Sequence, residues 1–391
     1  MRLARGSFFR HGVFLVLAAV LALAGCSTTD TFEQPAPVPE VKDRSVDFKT
    51  VWKMSVGDGH DGDFLYLAPL NAGDTVYAAS ADGELVSVDA ESGKLHWKRD
   101  LKERIFAGVG GDRQQLYLVT READLVALSR EGGEELWRRS LPTEALAAPQ
   151  SNGGIVVAQT TDGRVLAFDA DSGEKRWQYD GVVPALSLRA AAAPLVGGDV
   201  VIASFSNGKI MALSAEAGQP LWQYEVGQPQ GRTELERLVD VAGQPLVLDT
   251  AIMVSGYQGK LALIDIRTGQ EIWSRKASSL HAPMIGGGNI YLSAANGDII
   301  AYRGSDRREL WRQDKLSWRQ PTQPAAVEDY LVVGDYEGYL HVLSADDGSL
   351  AGQTRYDGDG LRVSLQRLAN GNLMVFGNGG KLSALTLRER D

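Results

Sequence analysis

A tryptophan recurs along this chain in one fixed context: an apolar run, a glycine turn, a second apolar run, an Asp/Ser-x-x-x-Gly turn, and then the indole. The clearest copy is Val76 to Leu101, VYAASADGELVSVDAESGKLHWKRDL, and others begin at Leu116, Val156, Val201, Ile252, Ile290 and Leu331. An eighth begins at Leu373 and stops at Asp391, before its final strand. The repeat tryptophans are Trp97, Trp137, Trp177, Trp222, Trp273 and Trp311, with Gly352 in their place in the seventh copy. Their spacings of 40, 40, 45, 51, 38 and 41 residues match a four-stranded propeller blade. Ahead of the first copy, Phe48 to Lys53 forms a lone last strand carrying Trp52, which is the piece the eighth copy lacks. The sequence therefore reads as all-β: an eight-bladed β-propeller over 48–391 with four-stranded blades. The N-terminal strand would close the ring and leave no open sheet edge to invite aggregation.

The pattern inside each unit has physical causes. Alternation such as Val76-Tyr77-Ala78-Ala79-Ser80 supplies small and β-branched side chains to both faces of a sheet sandwiched between neighbours. Gly83, Gly163, Gly208, Gly259, Gly297, Gly338 and Gly380 mark a hairpin turn that calls for positive φ, and Ala123 alone breaks the series. Ten residues before each repeat Trp stands Ser87, Ala127, Ala167, Ala212, Leu263 or Ala301, mostly small, which suits a bulky indole bridging adjacent blades. One Trp per blade at a constant phase is what packing requires. Trp52 and the six other repeat tryptophans are accordingly read as structural, not as a ligand-binding stripe.

The N-terminus reads as an address. Arg2, Arg5 and Arg10 precede the apolar run Val13 to Ala24, which ends in small residues, the layout of a secretory signal over 1–25. The run is too short to span a bilayer comfortably. Leu23-Ala24-Gly25-Cys26 resembles the bacterial lipobox, which implies lipidation of Cys26, the only cysteine, and Ser27 after it implies sorting to the outer membrane. Residues 26–47 are polar, carry Pro35, Pro37 and Pro39, show no apolar period, and read as a flexible lipidated tether.

Little in the chain suggests catalysis. One cysteine excludes an intramolecular disulfide and a cysteine zinc site, and a net charge of −10 argues against a general nucleic-acid or anionic-membrane binder. The histidines His11, His60, His96, His281 and His341 lack metal-ligand spacing, and acidic pairs such as Asp346-Asp347 fit hairpin turns better than calcium ligands. No phosphate loop or nucleophile motif occurs, so the reading is no enzyme, no cofactor and no metal.

Two resemblances follow. Ala167-x-Asp169-x-x-x-Gly173-x-x-x-Trp177 and its copies resemble the tryptophan-docking repeat of pyrroloquinoline-quinone dehydrogenases. Those enzymes are longer and carry adjacent cysteines over the quinone, which Cys26 alone cannot supply. The whole chain, with its lipobox, proline-bearing tether, eight repeats and closing strand, resembles the BamB family of lipoprotein propellers in the outer-membrane β-barrel assembly machinery. That resemblance implies a monomeric scaffold within a hetero-complex, anchored to the periplasmic face of the outer membrane, which docks on BamA. Handling of unfolded client chains by strand addition at an outer blade edge is a further expectation. A generic cell-envelope binding propeller and a quinone-dependent dehydrogenase are the alternatives.

Two loops carry the docking expectation. Val183-Pro-Ala-Leu186-Ser-Leu188-Arg189 resembles the Leu-Ser-Leu-Arg loop by which the family docks on a POTRA domain of BamA. Gly231 to Asp240 resembles its second contact loop and falls in the longest tryptophan interval, where an insertion from about Gly227 to Gly243 is expected. Leu186 and Leu188 would form a small apolar anchor beside Arg189, or else begin the next inner strand. Asp240 would accept a charged hydrogen bond from the partner or from Arg189. The family pattern places a second Asp two residues after Asp240, where this chain has Ala242.

Overall fold

A computed structural model describes residues 33–189 and 192–390, so the signal segment and Cys26 lie outside the described residues. Eight separate four-stranded antiparallel sheets follow one another along the chain. In blade 1 the strands are Leu70–Asn71, Thr75–Ala79, Glu84–Asp89 and Leu95–Asp100, running from inner to outer edge. Blades 2 to 7 repeat this order. In blade 8 the outermost strand is Val46–Ser55, paired antiparallel with Lys381–Glu389, so the first strand of the chain completes the last sheet. The ring closes as the sequence predicts.

Eight apolar clusters hold the blades together, one at each interface between neighbouring blades. The cluster joining blades 8 and 1, for example, interleaves Trp52, Met374, Phe376 and Leu382 with Val76, Ala78, Val86 and Val88. This is why the second and third strands are apolar on both faces, whereas fourth strands alternate with solvent.

The tryptophans form the joints. Trp52, Trp137 and Trp177 donate their indole N–H to the carbonyls of Ala90, Ala170 and Ala215 in the next blade, at 3.0, 2.8 and 2.8 Å. Trp97, Trp222 and Trp311 do the same to Arg130, Ile266 and Ala345. The Asp-x-x-x-Gly turn of the next blade lies flat on each indole, and a Cβ on Gly173 would sit 2.7 Å from the Trp137 ring. Trp273 meets Arg307 instead, whose guanidinium lies 5.4 Å from the ring centroid.

The small residue ten positions before each Trp has a more specific reason than a wide indole. Tyr77 and Trp97 flank Ser87 on adjacent strands, and their rings meet over it with centroids 5.9 Å apart. Tyr117 and Trp137 close over Ala127, and Tyr291 and Trp311 over Ala301, in the same way.

Gly352 has its own cause. The joint after blade 7 faces blade 8, whose outer turn is replaced by the chain termini, and a Cβ on Gly352 would lie 2.4 Å from the Val46 carbonyl oxygen. The incoming N-terminal strand fills the place of the indole. At the hairpin turns Ala123 keeps the left-handed conformation at φ 65°, whereas in blade 5 Gln258, not Gly259, takes it at φ 50°.

The N-terminal boundary differs from the expected start at Phe48. The closing strand begins at Val46, which is fully buried, and the compact unit extends back to Ala36. Ala36 donates its N–H to Ser317 and Ser45 donates to Ala351, so 36–45 lies on the propeller as a strap. Its prolines and polar residues gave no periodic signal because a single extended segment docked on a groove needs none.

Candidate functional site

In every blade the strands alternate in direction, so the turn between the second and third strands and the connection to the next blade emerge on the same face of the ring. Both candidate loops are such connections, at neighbouring positions. Residues 181–194 link the outer strand Lys175–Asp180 of blade 3 to blade 4, and 226–245 link the outer strand Pro220–Glu225 of blade 4 to blade 5.

The first loop is apolar and open. Val182 and Leu186 are 73 % and 42 % exposed, Leu188 is half-buried, and neither leucine enters a strand. Arg189 is exposed with φ 50°, a left-handed conformation that costs a non-glycine residue about 1–2 kcal/mol. Its guanidinium donates to Glu144 Oε1 at 2.7 Å. Arg189 is thus held by Glu144, and not by Asp240 as one of the sequence expectations had it. Glu144 is a residue that the repeat pattern gave no reason to single out.

The second loop is locally ordered. Thr233 and Glu236 form a reciprocal cap, the Glu236 carboxylate accepting the N–H groups of Arg232 and Thr233 while Thr233 Oγ1 accepts that of Glu236. This single turn presents Leu235, 71 % exposed, and leads into the buried run Leu238 to Val241. Asp240 joins Tyr257 in an isolated bridge, with the Tyr257 N–H donating to its carbonyl at 2.7 Å.

The loops converge on one cavity of about 230 Å³, lined by Ser187 and Arg189 from the first, by Asp240 and Val241 from the second, and by the turns 159–163 and 204–206. Asp240 is 4 % exposed and is not the surface acceptor that the sequence expectation pictured. Its Oδ2 has no hydrogen-bond partner among the described residues, and neither do Gln159 Oε1 and Ser204 Oγ on the same cavity wall. Burial pushes the Asp240 carboxyl up to about 6, and the backbone N–H groups of Leu188 and Val241 hold the rise back. Ala242, where the family pattern has a second Asp, is half-buried just beyond Val241.

His341 and the Asp346-Asp347 turn have structural roles. His341 is buried between Asp335, at 2.9 Å from its Nε2, and Gln353. Asp347 accepts the N–H and hydroxyl of Ser349 and so closes a turn. Among the described residues no group of three or more His, Cys, Asp or Glu side chains is arranged to hold a metal ion.

Comparisons with known proteins agree on one family. The family model described as "Outer membrane protein assembly factor BamB" matches residues 44–107 and 102–313. A protein of that name from Marinobacter adhaerens is 74 % identical over 98 % of this chain and 98 % of its own length. The Pseudomonas aeruginosa protein of that name is 45 % identical over 97 % of this chain and 99 % of its own. The crystal structure of BamB from Moraxella catarrhalis superposes with a TM-score of 0.78 at 26 % identity, covering 87 % of this chain and all of that one. A quinohemoprotein alcohol dehydrogenase from Comamonas testosteroni has a TM-score of 0.66 at 12 % identity, over 87 % of this chain and 76 % of that one, which is a likeness of fold alone.

Proposed function

Since the chain belongs to the BamB family of outer-membrane protein assembly factors, we propose that it docks on the POTRA domains of BamA through the face that carries loops 181–194 and 226–245. It serves outer-membrane protein assembly as a scaffold without chemistry of its own, and Cys26 holds it by lipid to the periplasmic face of the outer membrane. The observation that carries the docking proposal is the convergence of two off-repeat loops on one cavity, with exposed apolar side chains on those loops and, at its wall, a buried carboxylate whose Oδ2 has no partner among the described residues.

The parts divide as interface physics requires. Leu186 and Val182, both exposed on the first loop, offer apolar surface that a partner can desolvate. Arg189 is oriented by Glu144 and keeps further guanidinium N–H groups for a partner acceptor. Asp240 accepts the Leu188 N–H and lines the cavity, and its Oδ2, without a partner among the described residues, is the atom that a donor from the partner would satisfy. A left-handed Arg189 and an Asp240 whose Oδ2 lacks a partner among the described residues are costs in one place that folding alone does not explain, and such costs cluster at sites of function.

The test is capture of the isolated BamA POTRA domains by the propeller, residues 30–391, with wild type beside a Leu188→Ala/Arg189→Ala variant. The proposal expects capture by wild type and its loss in the variant, with both showing the same circular dichroism. Absence of wild-type capture at concentrations well above micromolar would remove the BamA reading and leave a generic envelope-binding propeller.

A further inference from the structure

Seven of the eight tryptophans sit at blade joints, and the eighth, Trp318, does not. It belongs to the connection from blade 6 to blade 7, on the same face as the docking loops, and is 41 % exposed. The connection is held firmly. Trp318 donates its N–H to Asn296 at 2.7 Å, and the adjacent Arg319 is 2 % exposed, ion-paired to buried Asp335 and to Glu337. Trp318 and Gln320, on either side of Arg319, both have positive φ, at 60° and 49°. Tyr336, 38 % exposed, lies against Arg319, whose guanidinium is 5.4 Å from its ring. Two aromatic rings are thus fixed at the surface by a buried charge and a strained backbone.

The strap ends at this same place. Ser45 enters the closing strand beside Ala351, at the end of the ring opposite to the docking loops, because fourth strands begin there. From that end 36–45 runs back across the ring beside Lys315 and Asp329, and reaches the docking face at Ala36. There Ala36 donates to the Ser317 carbonyl and accepts from Arg319 Nη1, both at 2.9 Å, one residue on either side of Trp318. The chain therefore leaves the propeller beside the exposed indole, ten residues after Cys26. Ten extended residues span no more than about 35 Å.

We propose that the rim around Trp318 and Tyr336 is a membrane-contact surface that seats on the headgroup layer of the bilayer bearing the anchor. This rests on the reading that Cys26 is lipidated. Trp and Tyr are the side chains that settle at a membrane–water interface, since their rings are apolar and their N–H or O–H stays hydrated. A lipid chain alone fixes distance but not orientation, and a second contact beside the exit point supplies it. With Arg319 neutralised by two carboxylates, the patch offers aromatic surface in place of a positive field, so it fits zwitterionic headgroups. The strap would then carry the anchor from the far end of the ring to the face that carries the docking loops.

The experiment uses the acylated full-length protein on zwitterionic phosphatidylethanolamine/phosphatidylcholine vesicles that carry bromine near the top of the acyl chains, with tryptophan emission as readout. The other seven indoles are packed in the blade joints, so bromine should quench a component on the order of one tryptophan in eight. That component should vanish in Trp318→Phe and persist in Trp97→Phe, with all three proteins floating with the vesicles and giving the same circular dichroism. Flotation without bromine quenching, or quenching unchanged in Trp318→Phe, would overturn the membrane-contact proposal and leave the anchor standing. Failure of wild type to float would overturn the anchor reading and the proposal with it.

Discussion

At the joint between blades 2 and 3, Trp137 is 7 % exposed and its indole N–H is satisfied by Ala170 in the next blade. At the cavity between loops 181–194 and 226–245 Asp240 is equally buried, yet its Oδ2 has no partner among the described residues. The joint spends no polar group and recurs around the ring, which is what a stack of near-identical units needs for stability. The cavity occurs where two connections of unequal length meet, and among the described residues it keeps a carboxylate oxygen and a hydroxyl without partners, beside a left-handed arginine. Joints hold the scaffold, and the cavity between the loops holds the groups left without partners among the described residues, which is where the proposed docking would act.

This contrast is open to direct challenge. The largest effect belongs to a joint: Trp137→Ala should cost about 3–5 kcal/mol, read by denaturant unfolding, and leave BamA capture intact where the protein is folded. Restoring the repeat residue at the closure should also destabilise, since Gly352→Trp drives a side chain into the Val46 carbonyl; a loss of about 3 kcal/mol is expected, and a gain would sink the account of the closure.

At the cavity the sign reverses. The folded carboxyl of Asp240 titrates at about 6, above its unfolded value near 3.9, so its ionisation costs nothing below pH 4. The cost grows as pH rises from 4 to 6 and is complete above that. Asp240→Asn should therefore stabilise the free protein by about 2 kcal/mol at pH 7.5 and by almost nothing at pH 4, while weakening capture of BamA. Equal melting of the two proteins across this range would remove the unpaired-carboxylate account.

Two smaller effects sharpen the comparison. Ala123→Gly relieves a left-handed alanine and should raise stability by less than about 1 kcal/mol, because glycine gives back part of the gain in the unfolded chain. Leu188→Ala with Arg189→Ala should change stability by under roughly 0.5 kcal/mol while abolishing capture. A large drop in the melting temperature would instead place the two residues in the fold.

Legibility in the sequence follows the same division. The repeat tryptophans, the turn glycines and the missing last strand of the eighth copy were visible because every blade meets the same neighbour and repeats the same solution. Glu144 and Ser204 were not, since each matters only through a residue from another connection, and no period links them to Arg189 or Asp240. Trp318 carried a signal in the sequence, a tryptophan off the repeat phase, but nothing there says that Ala36 ends beside it.

By itself, then, the sequence determined an eight-bladed ring with its closure and the two connections that depart from the repeat, because nearest-neighbour packing writes itself into every unit. Tertiary structure alone decided that Gly352 yields its place to Val46, that Arg189 pairs with Glu144, that Asp240 is buried with an Oδ2 unpartnered among the described residues, and that the strap crosses to the face carrying loops 181–194 and 226–245. Each of these depends on segments far apart in the chain being brought together once, and a contact made only once leaves no pattern to read.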